Sequence, residues 1–177
     1  LPHNEFKVVF GNTDMEFPTT TELVQKLSRK CSDEDIEFLE AASNMTSKES
    51  WNIFGPPARK VRWCCTVHKT APVINMLSDK FANGKLRCVM ITGVRGDESV
   101  SRSGYDEMSM GKKMAGQYSF HPILEWSSAE IYLYIYSQGL LLNDAYKYGF
   151  NRVGCIMCPT SSEKHEYIKR QCFPELV

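Results

Sequence analysis

Four of the seven cysteines stand in two tight pairs far apart in the chain: Cys64-Cys65 in "RWCCTVHK" and Cys155/Cys158 in "RVGCIMCP". A fold that brings the pairs together gathers four soft thiols, and such a set makes a metal site, either tetrahedral zinc or an iron–sulfur cluster. A Cys-x-x-Cys alone is a weak signal. Joined to an adjacent Cys-Cys, with basic and Gly/Pro-rich surroundings at both ends, it is stronger. Neighbouring side chains of an extended chain point opposite ways, so adjacent ligands suit one tetrahedral ion poorly. The separate iron corners of a cubane can take both, at some cost in backbone strain. The residues therefore favour [4Fe–4S] over zinc. Buried core cysteines are the plain alternative. A disulfide fits less well, because nothing else reads as secreted.

The remaining composition sets bounds. The 177 residues suffice for one domain with a sizeable core. A formal net charge of zero argues against a dominant non-specific nucleic-acid surface and leaves room for a local basic patch. No apolar run approaches membrane-spanning length and no secretory signal is visible. An odd cysteine count without a regular framework points to a reducing compartment, and so to the cytoplasm. Cys88 reads as part of a core strand, Cys31 and Cys172 as incidental. Both ends, "LPHNEF" and "FPELV", read as cut. The expectation is a single domain over residues 1–177, truncated at each end.

Along the chain, "FKVVF" (Phe6 to Phe10) is a short apolar strand bounded by Gly11-Asn12. Pro18 starts a helix over "TTTELVQKLSRK". Ser32, followed by three acidic residues, reads as the N-cap of a helix to about Ala42. Thr46 or Ser47 caps a short helix through Trp51, and "FGPPARKVRWCC" reads as irregular and basic. "KTAPVINMLSDKFANG" is a helix stopped by Asn83-Gly84. "LRCVMITG" is a second buried strand, "VRGDESVSRSGYDEMSMGKKMAGQ" a long polar loop, and "YSFHPIL" a third extended run. "SSAEIYLYIYSQG" is a helix ended by Gly139, with Trp126, Tyr132 and Tyr136 read as core or core edge. "SSEKHEYIKRQCF" is a closing helix capped by Ser161 or Ser162. Strands separated by helices mean an α/β fold with a mostly parallel sheet flanked by helices. Ligands of such sheets sit beyond the carboxyl ends of the strands, where "GNTD" and "GVRGDES" fall.

In "ITGVRGDESVSR", Arg95 and Arg102 put two guanidinium forks near one place, which suits phosphate or sulfate. Glu98 could orient an arginine. Lys69, four residues after Cys65, could offset thiolate charge and hold an anionic substrate. Arg59, Lys60, Arg62 and Arg152 add positive charge beside the cysteine pairs. His68 carries no assignment. Thr13 and Asp14 could stand beside a ribose or adenine, or form a plain turn. No Ser-His-Asp pattern, Walker loop or His-rich box is present.

The order "VVFGNTDMEFP", "CCTVHK", "ITGVRGDESVSR", "HPILEW" and "GFNRVGCIMCP" resembles the phosphoadenosine phosphosulfate (PAPS) reductase family over roughly Lys7 to Pro159. The resemblance implies an adenine-nucleotide α-hydrolase-like fold of the ATP-pyrophosphatase type. The Cys-Cys-x3-Lys and Cys-x-x-Cys set is similar to the cluster-bearing branch, which includes adenylyl-sulfate reductases and DNA phosphorothioation proteins. It implies that Cys64, Cys65, Cys155 and Cys158 ligate a [4Fe–4S] cluster. Lys69, Arg95 and Arg102 would then meet the anionic end of an adenylyl substrate, and Thr13 and Asp14 the nucleotide. Three departures stand out. The family's Ser-Gly-Gly-x-x-Ser phosphate loop is missing and is expected before Leu1. Its Asp-Thr-Gly and Phe-Pro-Glu-Thr turns appear as Asn12-Thr13-Asp14 and Phe17-Pro18-Thr19-Thr20. Its Glu-Cys-Gly tail is absent, and Cys172, inside a helix, is a poor substitute.

The resemblance implies a reductase-like oxidoreductase domain acting on an adenylylated sulfur oxyanion, with a thiol electron donor; the fragment alone would be inactive. An alternative is an ATP-dependent sulfurtransferase inserting sulfur into nucleic acid, with a cysteine desulfurase as partner. A third is a zinc-stabilised, non-catalytic interaction domain. No membrane partner is expected.

Overall fold

The computed structural model describes residues 2–3, 5–81, 86–110 and 116–176. It divides into two compact units, residues 1–76 with 142–177, and residues 77–141.

In the first unit, strands β1 (Lys7–Asn12) and β2 (Glu37–Ala42) pair in parallel, Lys7 opposite Glu37 through Asn12 opposite Ala42. Helix α1 (Pro18–Asp33) makes the crossover, with Pro18 in its first turn as the sequence predicts. The helix expected to start at Ser32 is instead the end of α1 followed by β2. Asp35 N–H bonds the Ser32 carbonyl at 3.3 Å and Ile36 N–H the Cys31 carbonyl at 2.8 Å. With Asp35 at φ +55°, this is a Schellman closure. Residues that look like an N-cap therefore cap the C-terminus. Beyond them Leu39 and Ala41 are buried while Glu40 is exposed, the two-residue period of a strand.

Helix α2 (Ser47–Phe54) opens with a complete capping box between Thr46 and Glu49. The segment read as irregular up to Cys65 ends in helix. Helix α3 (Trp63–Cys65), a π-turn (Thr66–Thr70) and helix α4 (Ala71–Phe81) follow one another without a break. The expected stop at Asn83-Gly84 lies outside the described residues.

The core of this unit is aromatic. Phe17, Ala145, Phe150, Ile168 and Phe173 are buried together, with Val153 and Ile156 packed against them. Phe17 meets both Phe150 and Phe173 edge-on, ring centres 5.4 Å apart. Ala145 belongs to a 3-10 turn (Asp144–Tyr148) and Ile168 to helix α7 (Glu163–Cys172), which Ser162 caps. Val153 and Ile156 flank Cys155, so the aromatic core is the floor under the Cys-x-x-Cys segment.

In the second unit, strands β3 (Cys88–Ile91), β4 (Met108–Met110) and β5 (Gln117–Phe120) form a sheet in the order β3-β5-β4. β3 is parallel to β5 and β4 antiparallel to it. β3, expected to be buried, exposes Val89 and Ile91 on one face, 54% each. The long loop after it is partly structured, with a 3-10 turn (Gly96–Glu98), helix α5 (Val100–Ser103) and β4; residues 111–115 lie outside the described set. Helix α6 (Ser128–Ser137) begins at a second capping box, Ser127 with Glu130. Tyr136, read as core or core edge, is exposed. No helix among the described residues is long and apolar enough to cross a membrane.

Candidate functional site

At the carboxyl end of β1 the chain must turn, and Asp14 takes a left-handed φ of +61°, a conformation Asp and Asn tolerate. Asn12 Oδ1 accepts the Asp14 N–H at 2.9 Å. The Asp14 carboxylate accepts both the N–H and the hydroxyl of Ser47, each at 3.0 Å, and so ties the turn to the start of α2. Thr13 is only 3% exposed. Its hydroxyl donates to Glu16 Oε1 at 2.7 Å and lies 3.3 Å from Cys155 Sγ. The side chains of Thr13 and Asp14 are thus committed to partners inside the protein.

The Cys-x-x-Cys segment is pinned through its backbone. Ile156 N–H donates to the Met15 carbonyl at 2.8 Å, directly joining it to the turn after β1. Lys169, 5% exposed, donates to the Ile156 carbonyl at 3.1 Å and pairs with Glu166 at 2.6 Å. Arg59 donates to the Ser161 carbonyl at 3.0 Å, which brings the basic "PPARK" stretch onto this segment. Cys158 N–H bonds the Cys155 carbonyl, and Cys158 Sγ lies 3.1 Å from Thr160 Oγ1.

Cys64 is half-buried and Cys65 exposed. Being helical, they diverge by about 100° rather than pointing opposite ways as in extended chain. The spacing of Cys65 and Lys69 suggests one α-helical face, but the intervening π-turn changes the phase. Ala71 N–H bonds the Thr66 carbonyl, five residues back. The Lys69 ammonium acts on the Cys155 thiol. Pro72 explains the widening: it has no N–H for the His68 carbonyl, and in a regular α-turn its ring would clash there. The Lys69 stem lies against β1. A methyl added at Gly11 would stand 3.5 Å from Lys69 Cγ and 3.3 Å from Val73 Cγ2.

The thiols act on one another. Burial, then the neighbouring Cys65, and more weakly Cys155, push the Cys64 thiol up to about 11. Burial pushes the Cys155 thiol up as well; the Thr13 hydroxyl and the Lys69 ammonium oppose this, while Glu16 and Cys158 add to it. Cys64, Cys155, Cys158, Lys69 and Thr13 therefore share one neighbourhood in the first unit. All seven cysteines are free thiols. Among the described residues, no three His, Cys, Asp or Glu side chains close on a point that could hold a single metal ion.

Arg95 and Arg102 belong to the second unit. Arg95 Nε donates to Asp97 Oδ1 at 2.9 Å and one Nη to Ser128 Oγ at 3.2 Å. Glu98 pairs with Arg102 and stands 3.9 Å from Arg95, so it orients both guanidinium groups. Asp97 Oδ2 accepts the N–H and hydroxyl of Ser128, at 3.1 and 2.9 Å, which latches the loop to the start of α6.

Sequence reasoning did not pick out Asp97. The Arg95 guanidinium foremost, together with Ser128 and against the cost of burial, holds its carboxyl below the usual range. A carboxyl lowered by folding stabilises the fold above its unfolded pKa, and that contribution is lost as pH falls through the folded value. Asp97→Asn should cost about 0.5–1 kcal/mol at neutral pH, kept small by solvent screening, and less as the medium is acidified. Thermal melts of both proteins from neutral into acid pH check this; a cost that stays constant with pH would refute it.

A family model described as the phosphoadenosine phosphosulfate reductase domain matches residues 2–161, running through both units. A Methanocaldococcus jannaschii protein named only as uncharacterized is 28% identical over 176 residues, covering 98% of this chain and 40% of its own length. An adenosine 5′-phosphosulfate reductase of Salinibacter ruber is 27% identical over 170 residues, covering 93% of this chain and 62% of its own length. The chain thus spans less than two thirds of either relative. The phosphate complex of a phosphoadenylyl-sulfate reductase from Candida auris superposes with a TM-score of 0.60 at 17% identity, over 84% of this chain and 68% of that one. At that identity the likeness speaks to the fold alone, the α/β architecture expected from the sequence.

Proposed function

The chain belongs to the phosphoadenosine phosphosulfate reductase domain family, and from that premise we propose that it binds an adenylylated sulfur oxyanion beside a [4Fe–4S] cluster. Cys64, Cys65, Cys155 and Cys158 would hold the cluster. The observation that carries this reading is the gathering of Cys64, Cys158, Lys69 and Thr13 around the Cys155 thiol. All four cysteines are free thiols, and the separate iron corners of a cubane can take the adjacent Cys64 and Cys65, which a single tetrahedral zinc accommodates poorly.

When bound, the cluster supplies polarisation at the sulfate end of the substrate. The Lys69 ammonium offsets thiolate charge and meets the sulfate oxygens. In the second unit, Arg95 and Arg102, oriented by Glu98 and Asp97, offer guanidinium forks that suit an anionic group. Thr13 and Asp14 hold the turn after β1 in the shape that borders the nucleotide. In the proposed reaction a thiolate from a donor of the thiol class attacks the sulfur of adenylyl sulfate. A sulfur–sulfur bond forms, the sulfur–oxygen bond to phosphate breaks, and the nucleotide leaves with that electron pair. An S-sulfonated thiol remains, and a second thiol reduces it to sulfite while becoming part of a disulfide. The domain is on this reading a cytoplasmic oxidoreductase of sulfur metabolism.

Titration calorimetry of the anaerobically purified protein with adenosine 5′-phosphosulfate, ATP and AMP tests the reading. Saturable binding of adenosine 5′-phosphosulfate in preference to ATP is expected. Binding of ATP with pyrophosphate release would favour the sulfurtransferase, with nucleic acid as acceptor and a cysteine desulfurase as sulfur source. One tightly held zinc and no nucleotide binding would make the domain an interaction module.

A further inference from the structure

His68 is 1% exposed, and its Nε2 lies 2.8 Å from Ser50 Oγ. The single proton of that hydroxyl goes to the Ser47 carbonyl at 2.7 Å. Ser50 is therefore the acceptor, and Nε2 carries the imidazole hydrogen. Ser47 in turn gives its N–H and hydroxyl to Asp14. Asp14 adjoins Thr13, whose hydroxyl lies 3.3 Å from Cys155 Sγ. A continuous path thus runs from the π-turn, through α2, to the turn beneath Cys155. The other ring nitrogen, Nδ1, is buried without a partner. A buried imidazole with one unsatisfied nitrogen is a costly way to fill space, and leucine would fill it without that cost. The bond to Ser50 is what the imidazole adds.

We propose that His68 is a positioning residue: through Ser50 and Ser47 it locks the π-turn onto the Asp14 turn, and so sets where Lys69 and Cys64 stand relative to Cys155. Pro72 opens the turn, and His68 decides where the opened turn rests. The importance of this device rests on the proposed reading of Lys69 and the cysteines as one site; its geometry does not.

A short amine-to-thiol cross-linker applied to the metal-free protein, with the products mapped by mass spectrometry, reads the placement directly. The wild type should give a Lys69–Cys155 product. His68→Gln, whose amide can still donate to Ser50, should retain it. His68→Leu and Ser50→Ala should lose it several-fold while their circular dichroism spectra stay unchanged. If His68→Leu fails to fold, Ser50→Ala, which removes one oxygen, decides the matter. An undiminished Lys69–Cys155 product in either folded variant overturns the proposal. A residue that merely filled space would change the melting temperature and not the yield per folded molecule. Neither nucleotide nor metal enters this experiment. Failure to bind adenosine 5′-phosphosulfate would therefore sink the proposed function and leave this result standing, and an undiminished yield would do the reverse.

Discussion

Lys69→Ala should weaken binding of adenosine 5′-phosphosulfate by about ten- to a hundredfold. Hydrogen bonds to charged groups are worth roughly 1.5–3 kcal/mol, and every 1.4 kcal/mol is a factor of ten. Folding should be almost untouched, because Lys69 is exposed and has only its stem against Gly11. Lys69→Arg should recover part of the loss, since it keeps the charge but replaces a compact ammonium with a planar fork. Gly11→Ala should act in the same direction and more weakly, because the added methyl presses on the Lys69 stem and on Val73. Calorimetric titration of the four proteins measures the series. Equal affinity in wild type and Lys69→Ala would remove Lys69 from the substrate's anionic end.

Phe17→Ala should cost about 3–5 kcal/mol, the usual range for deleting a buried phenyl ring. Total stabilities run at roughly 5–15 kcal/mol, so a large part of the fold's margin would go. The size follows from position. Phe17 precedes Pro18, is 3% exposed, and is wedged between Phe150 and Phe173 from the other end of the chain. It also lines the pocket behind Cys155 and Cys158. Its loss should therefore loosen the cysteine segment along with the core. Urea unfolding gives the energy, and faster alkylation of Cys155 in the folded variant gives the local effect. A cost below about 1 kcal/mol would mean that these three rings are not the floor of the site.

Much of this was open to sequence reasoning because it rests on local chemistry. Thr46 with Glu49, Ser127 with Glu130, and Pro18 announce helix starts whose signals lie within a few residues. The two cysteine pairs and Lys69 are the sequence signal on which the proposed site rests. The misreadings arose where the same residues serve two local roles. Ser32 to Asp35 look like an N-cap with an acidic first turn, yet with Asp35 left-handed they close α1. The alternation in "EFLEAA" was the better guide to β2. Pro72 marks where a regular α-turn cannot run past His68, and the π-turn falls there. What no local pattern reveals is long-range pairing. The bond from His68 to Ser50 and the packing of Phe17 on Phe173 depend on elements that meet only in the fold. The same holds for Asp97, whose tie to Ser128 turns an ordinary loop charge into the latch that sets Arg95.

The central claim is that two cysteine pairs brought together by the first unit hold one multi-iron group. Anaerobic purification, followed by assay of iron, acid-labile sulfide and zinc in the wild type and in Cys155→Ser, tests it most directly. The account predicts about four irons and four sulfides per chain in the wild type, with an absorbance band in the visible, all lost in the variant. One zinc without sulfide, or iron retained in full by Cys155→Ser, would contradict it.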